Sequence, residues 1–271
     1  MGETFYPGQT GNFPDQTIYM AFIALDHTQG PGTPIFATAT DFAGNQGRSG
    51  IAHHINARNF KKDTIPITDR FLNWKMPEFN NQVQADAGMS PLEVFLKVNQ
   101  DLRKANYETV AKVTARSDNK IHWHGDFLRL PHAANRAGFA DSRDYIYKKK
   151  KIDHQYHLGV DLASLEHSPV PAANSGRVAF ADALGIYGNT VILDHGFGLF
   201  SMYAHLSFIG VKVDQTVKRG EIIGKTGRSG LAGGDHLHFS MLVHQTFVNP
   251  LEWWDPNWIK NNIQANISAV H

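Results

Sequence analysis

The chain of 271 residues contains no cysteine. That excludes a disulfide scaffold and a thiolate metal site, and leaves the compartment open. Charge of one sign is also lacking: 26 Lys+Arg stand against 25 Asp+Glu, a formal charge of +1. A duplex nucleic-acid partner is therefore not expected, because neutralising phosphates takes a dense basic surface. No apolar run is long enough to span a bilayer. Ile18-Tyr19-Met20-Ala21-Phe22-Ile23-Ala24-Leu25 is too short and reads as a buried strand. The opening Met1-Gly2-Glu3-Thr4 has no basic-then-apolar leader pattern. What is present is a hydrophobic content of 42%, enough for a real core in two domains or one elaborated one.

Residues 1–59 read as a small β module. After the first apolar run come Ile35-Phe36-Ala37-Thr38-Ala39-Thr40-Asp41, the turn Ala43-Gly44-Asn45, and Ile51-Ala52-His53-His54-Ile55. Short β-rich runs bounded by Gly, Pro, Asn and Asp suggest a sandwich-like unit, and the Asp41-to-Asn45 turn is similar to those of immunoglobulin-like domains. Residues 60–118 change character. Ser90-Pro91-Leu92-Glu93 is a capping box with proline at the first helical position. Leu92, Phe95, Leu96 and Leu102 follow at helical intervals, predicting a helix over 91–104 and another over 107–115. Phe71, Leu72, Trp74, Met76 and Phe79 need a surface to bury against. The expectation is a helical connecting or occluding segment that packs beside the functional groove and restricts it.

From about residue 119 to 271, short strands alternate with glycine-rich turns. The runs at 190–193, 199–203, 211–213 and 236–242 fit an antiparallel sheet crossed by a groove, with a short closing helix over 258–267. The fold class predicted is mainly β. The basic run at 148–151 is expected to be a solvated hairpin tip.

The chemistry concentrates in His157-Leu158-Gly159-Val160-Asp161 and His236-Leu237-His238, with His205 between them in Tyr203-Ala204-His205-Leu206-Ser207. Zinc accepts His nitrogen and Asp oxygen, and a catalytic site keeps a position open for water. Alternate residues of a strand share a face, so His236 and His238 can point into one cleft. On spacing alone, any of these residues could be a ligand. Gly159 and the β-branched Val160 favour strand or loop over helix between His157 and Asp161, and alternation turns Asp235 away from the face of His236. His122-Trp123-His124, His154, His195 and His53-His54 are read as surface or structural.

These motifs carry a family resemblance. His157 to Asp161, Ser175-Gly176-Arg177-Val178, Tyr187-Gly188-Asn189 and Asp194-His195-Gly196-Phe197-Gly198-Leu199 resemble the LytM/lysostaphin-type zinc endopeptidases. So do Tyr203-Ala204-His205-Leu206, Val217-Lys218-Arg219-Gly220, Gly227-Arg228-Ser229-Gly230 and Asp235-His236-Leu237-His238-Phe239. The likeness runs from about 127 to 254. It implies that His157, Asp161 and His238 bind Zn2+, and that His205 and His236 are the non-ligand catalytic histidines. It also implies an endopeptidase acting on peptide cross-links or stem peptides of bacterial peptidoglycan. Some relatives of this fold lack zinc ligands and bind the wall or activate amidases without catalysis, which is the alternative reading. Ser240 departs from the family's frequent Glu at that position. A peptidoglycan substrate further implies an extracytoplasmic (periplasmic or secreted) setting, with any leader or anchor absent from this chain. A monomer is the expectation.

Overall fold

A computed structural model describes residues 4–10 and 18–268. Its centre is an eight-stranded antiparallel sheet. The strands run Thr216–Val217, Gly176–Ala183, Asn189–Gly196, Leu199–Leu206, Leu237–Val243, Val160–Ala163 and Ala134–Ala137, with Thr246–Val248 also on Leu237–Val243. The two middle strands join through Phe197 and Gly198, both at positive φ (54° and 77°). That two-residue turn matches the right-handed twist of its strands.

Both faces of this sheet are covered, so its central strands carry apolar side chains in near-continuous runs rather than in alternation. On one face Val191, Leu193, Leu199, Tyr203, Phe239 and Met241 pack with Phe22, Trp123, Phe127 and Trp253. On the other, Ile192, Phe200, Met202, Ala204 and Leu242 pack with Leu72, Phe79, Phe95 and Val110 from residues 60–118. Each of these large side chains contributes about 1.5–3 kcal/mol by leaving water.

Residues 60–118 open with a strand, Lys62–Ile67, where only helix was expected. It pairs in parallel with Asp141–Tyr147, which forms a hairpin with Lys150–His157. Pro66 hides this strand in the sequence, since proline argues against a central strand. The strand lies at the edge of its three-stranded sheet, where a missing N–H is tolerated. Thr68 then caps Asp69–Lys75, its side chain accepting from the Phe71 N–H. The Ser90–Glu93 capping box is present, with Glu93 reaching back to the Ser90 N–H. The two helices predicted behind it are joined: Pro91–Lys97 passes through a π turn at Val98–Leu102 into Arg103–Thr114. The basic run is the predicted hairpin tip, with Lys148 and Lys149 at positive φ.

Ahead of residue 60, the strands among the described residues are Phe36–Thr40 and Gln46–Gly50. All ten of their residues are exposed. Asp41 makes the turn between them, accepting from the N–H groups of Ala43 and Asn45. The apolar run at 18–25 is extended chain with one bridge, Gln9 to Met20, and buries Phe22 rather than forming a strand. Residues 51–55 and 211–213 are likewise outside strands, and the closing helix is broken into Pro256–Ile259, a π turn and Ala265–Ser268.

His195 lies within the first core. Its Nδ1–H donates to the Ser175 carbonyl (2.7 Å), and its Nε2 lies 2.7 Å from the Ser201 hydroxyl. Burial pushes this imidazole down to about 4. A neutral histidine that cannot protonate in place stabilises the fold above the unfolded value near 6.5. That contribution is lost as pH falls from there through 4, by roughly 3 kcal/mol in all. His195→Gln is expected to flatten the loss of stability between pH 7 and 4.5, measured by urea unfolding at each pH. A slope equal to that of the unmodified chain would refute the assignment.

Candidate metal centre

Pairing register brings two of the five motif residues together. His238 faces Asp161 directly across neighbouring strands. Val160 and Leu162 point into the first core, so Asp161 between them points to the opposite face, as His238 does between Leu237 and Phe239. His157 ends the strand Lys150–His157 and arrives from the adjoining sheet. Gly159 lets the chain pass close: a Cβ there would lie 2.5 Å from Ser240 Oγ and 2.6 Å from His238 Nε2.

The resulting triad is tight. His157 Nε2 lies 2.9 Å from Asp161 Oδ1 and 2.9 Å from His238 Nδ1, and His238 Nδ1 lies 3.0 Å from Asp161 Oδ1. The outer nitrogens fix the tautomers. His157 Nδ1 faces the carbonyl of Gly138 at 2.8 Å and must be its donor. Ser240 Oγ gives its one proton to the Leu158 carbonyl (2.7 Å), so at 3.0 Å it accepts from His238 Nε2. The inner atoms of both rings are therefore lone pairs, facing each other and a carboxylate. Three acceptors at such spacing repel unless a cation lies among them. Tetrahedral zinc with ligands at about 2.0–2.2 Å places its donors roughly 3.3 Å apart, so the set fits a zinc-sized ion. Its donors are two imidazoles and one carboxylate, a set that zinc accepts.

His205 comes to the site by a bulge. Leu199, Ser201 and Tyr203 face the first core, and regular alternation would send His205 there too. Instead two residues, Ala204 and His205, oppose the single Thr190, since Asn189 pairs with Leu206 and Val191 with Tyr203. His205 takes φ of 62° and turns to the face that carries Asp161 and His238, while Leu206 returns to the first core. Bulges re-aim side chains in this way beside active sites. His205 Nδ1–H donates to the Ser229 carbonyl (2.9 Å) and His236 Nδ1–H to the Gly234 carbonyl (2.9 Å). Both Nε2 atoms are thus free to take a proton. The two rings lie 4.8 Å apart, and His205 is 5.8 Å from His238, centroid to centroid. His236 Nε2 stays 3.5 Å from Asp161 Oδ1, outside the triad.

Burial raises the Asp161 carboxyl, but the imidazoles of His157, His236 and His238 around it outweigh burial and hold it well below the usual range. Burial pushes His238 down to about 4, and burial with repulsion from His236 and His238 holds His205 well below its ordinary value. For His236 burial also lowers the value, yet the Asp161 carboxylate carries it above normal.

A cavity of about 330 Å³ opens on these residues. His157, Asp161, His205, His236 and His238 all line it, as do Ile65, Pro66, Ile67, Phe71 and Phe95 from residues 60–118. Arg143 lines it as well, 3.2 Å from Asp161 Oδ2. Sequence reasoning missed this residue: one arginine in Ser142-Arg143-Asp144 carries no signal. The remaining histidines stand apart. His122 pairs with Asp118, His154 with Asp144, and His53 and His54 are exposed. Asp235 turns from the site to accept from the His167 N–H (3.2 Å).

Residues 155–250, which span the triad, match Peptidase family M23. They form an M23 peptidase domain. Over 112 residues the chain is 35% identical to DD-carboxypeptidase/endopeptidase Mpg of Neisseria meningitidis, a match covering 41% of this chain and 26% of that protein. Over 96 residues it is 36% identical to peptidoglycan DD-endopeptidase ShyA of Vibrio cholerae, covering 35% and 22%. The matched stretches thus span about a quarter of these curated relatives. A putative M23 peptidase from Pseudomonas aeruginosa shares the fold over 91% of this chain and 84% of its own, with a TM-score of 0.54 at 20% identity. The M23 domain is that of a metallopeptidase, and its antiparallel β architecture agrees with the predicted fold class. Among the described residues no helix is long and apolar enough to cross a membrane.

Proposed function

We propose that this chain is a zinc-dependent endopeptidase that hydrolyses peptide cross-links or stem peptides of bacterial peptidoglycan, working outside the cytoplasm. The observation that carries the reading is the triad. His157 Nε2, His238 Nδ1 and Asp161 Oδ1 turn three lone-pair atoms on one point, at mutual distances of 2.9–3.0 Å. Bound there, zinc would supply Lewis acidity, polarising a carbonyl and lowering the pKa of water. The chain's own residues do the proton work. His205 and His236 present free Nε2 atoms on the same cavity, suited to taking a proton from the attacking water and returning one to the leaving amine. Their Nδ1–H bonds to Ser229 and Gly234 hold each ring in the tautomer this requires. The substrate peptide would lie against the apolar wall of Ile65, Ile67 and Phe71. Peptidoglycan as substrate is taken from the names of the relatives.

The test is digestion of purified sacculi by protein of known metal content. About one zinc per chain and release of soluble peptide-bearing fragments are expected, with release stopped by a chelator and restored by added zinc. Binding to sacculi with zinc present but no fragment released would establish the silent wall-binding alternative instead.

A further inference from the structure

The two oxygens of Asp161 have different company. Oδ1 faces His157 Nε2 at 2.9 Å and His238 Nδ1 at 3.0 Å, whereas Oδ2 takes the Arg143 guanidinium at 3.2 Å. Both partners of that ion pair are largely enclosed, with side-chain exposures of 18% and 14%. Arg143 Nε is buried with no hydrogen-bond partner, so the carboxylate is what orients the guanidinium. Arg143 reaches the site from the strand Asp141–Tyr147, where alternation puts it on the same side as the buried Asp141 and Tyr145. Asp141 Oδ2 accepts from the Gly138 N–H at 2.8 Å, and the Gly138 carbonyl in turn takes His157 Nδ1–H. One strand therefore braces two members of the triad, neither of which lies on it.

We propose that Arg143 is a positioning residue for the metal centre: by holding Oδ2 it leaves Oδ1 alone to face the cation, so that Asp161 binds through one oxygen. The terminal torsion of an aspartate is broad and roughly two-fold. With Arg143 gone, both oxygens would compete for the same ion and the carboxylate would turn. Electrostatics alone gives the opposite expectation, since a guanidinium beside a divalent cation repels it and its removal would tighten metal binding. The sign of the effect thus separates a positioning role from a mere neighbouring charge. Outer partners of ligand groups are typically worth about 10–100-fold in metal affinity.

This inference rests on the metal reading given above, and the experiment distinguishes the two. The full chain is stripped of metal and titrated with zinc against a chromophoric chelator, and separately loaded with cobalt for its visible spectrum. Arg143→Gln is expected to bind zinc about 10–100-fold more weakly and to shift the cobalt bands. Arg143→Lys, which keeps a donor and the charge, is expected to recover part of the affinity and most of the spectrum. The thermal transition of each metal-free variant is recorded alongside. Zinc binding by Arg143→Gln as tight as in the unmodified chain, or tighter, with unchanged cobalt bands, would overturn the positioning role alone. Weaker binding by both variants with no recovery in Arg143→Lys overturns it too. An unmodified chain that takes up neither ion removes the metal reading and the inference with it.

Discussion

His238→Ala is expected to leave the protein without bound zinc and without detectable digestion of sacculi, and His157→Ala and Asp161→Ala are expected to do the same. Each removes one of three inward-facing donors, and two protein donors do not make a stable zinc site of this type. The measurement is metal content after gel filtration together with release of fragments. Stability reports the same event independently. Binding to the folded state alone adds about 4 kcal/mol when the free ligand is 1,000-fold above its Kd. The unmodified chain should therefore melt higher with zinc added, and the three variants should not respond. Asp161→Ala carries an additional penalty, since it strands the partly enclosed Arg143 charge, short of the roughly 3–5 kcal/mol for breaking a fully buried pair from one side. Asp161→Asn should spare part of that while still losing zinc. Full zinc occupancy in all three alanine variants would refute the ligand assignment.

His205→Ala and His236→Ala are expected to retain zinc and lose turnover by about 10²–10⁴-fold, the usual loss for a positioned acid or base. The geometry separates these two from the proposed ligands. Their Nδ1 atoms are tied to backbone carbonyls, and His236 Nε2 stands 3.5 Å from the nearest carboxylate oxygen. Zinc loss in either variant as complete as in His238→Ala would make that residue a ligand. Turnover within a few-fold of normal would leave it without the proton role.

The candidate ligands were legible through a family resemblance carried by short motifs of adjacent residues; on spacing alone any of the motif histidines could have been one. His238 and Asp161 occupy facing positions of neighbouring strands, and His157 is separated from Asp161 by a bend at Gly159. The Ser90 cap and the Lys148-Lys149 tip were legible for a similar reason: each depends on a few adjacent residues. What could not be read depends on pairing across long separations. Nothing local places Arg143 against Asp161, eighteen residues on. Nothing local makes Lys62–Ile67 a strand, because its partner lies some eighty residues away and Pro66 argues against it. The role of Ser240 also comes from tertiary structure. Seen in the sequence as a departure from the family's Glu, it accepts from His238 Nε2 and so leaves Nδ1 of that ring facing His157 and Asp161.

The bulge at Ala204 and His205 gives the end of its strand an unusual kind of constraint. Substitution at Ala204 changes one buried methyl, whereas loss of either residue would put the strand back in step. Loss of His205 would remove the imidazole, and loss of Ala204 would shift it into the place of Ala204, beside His238 on the neighbouring strand, while Leu206 would keep its place in the first core. Reading frame along the strand, counted in single residues, is therefore held as strictly as the identity of the histidine. Insertions and deletions that a surface hairpin such as Lys148-Lys149 could absorb have no room here.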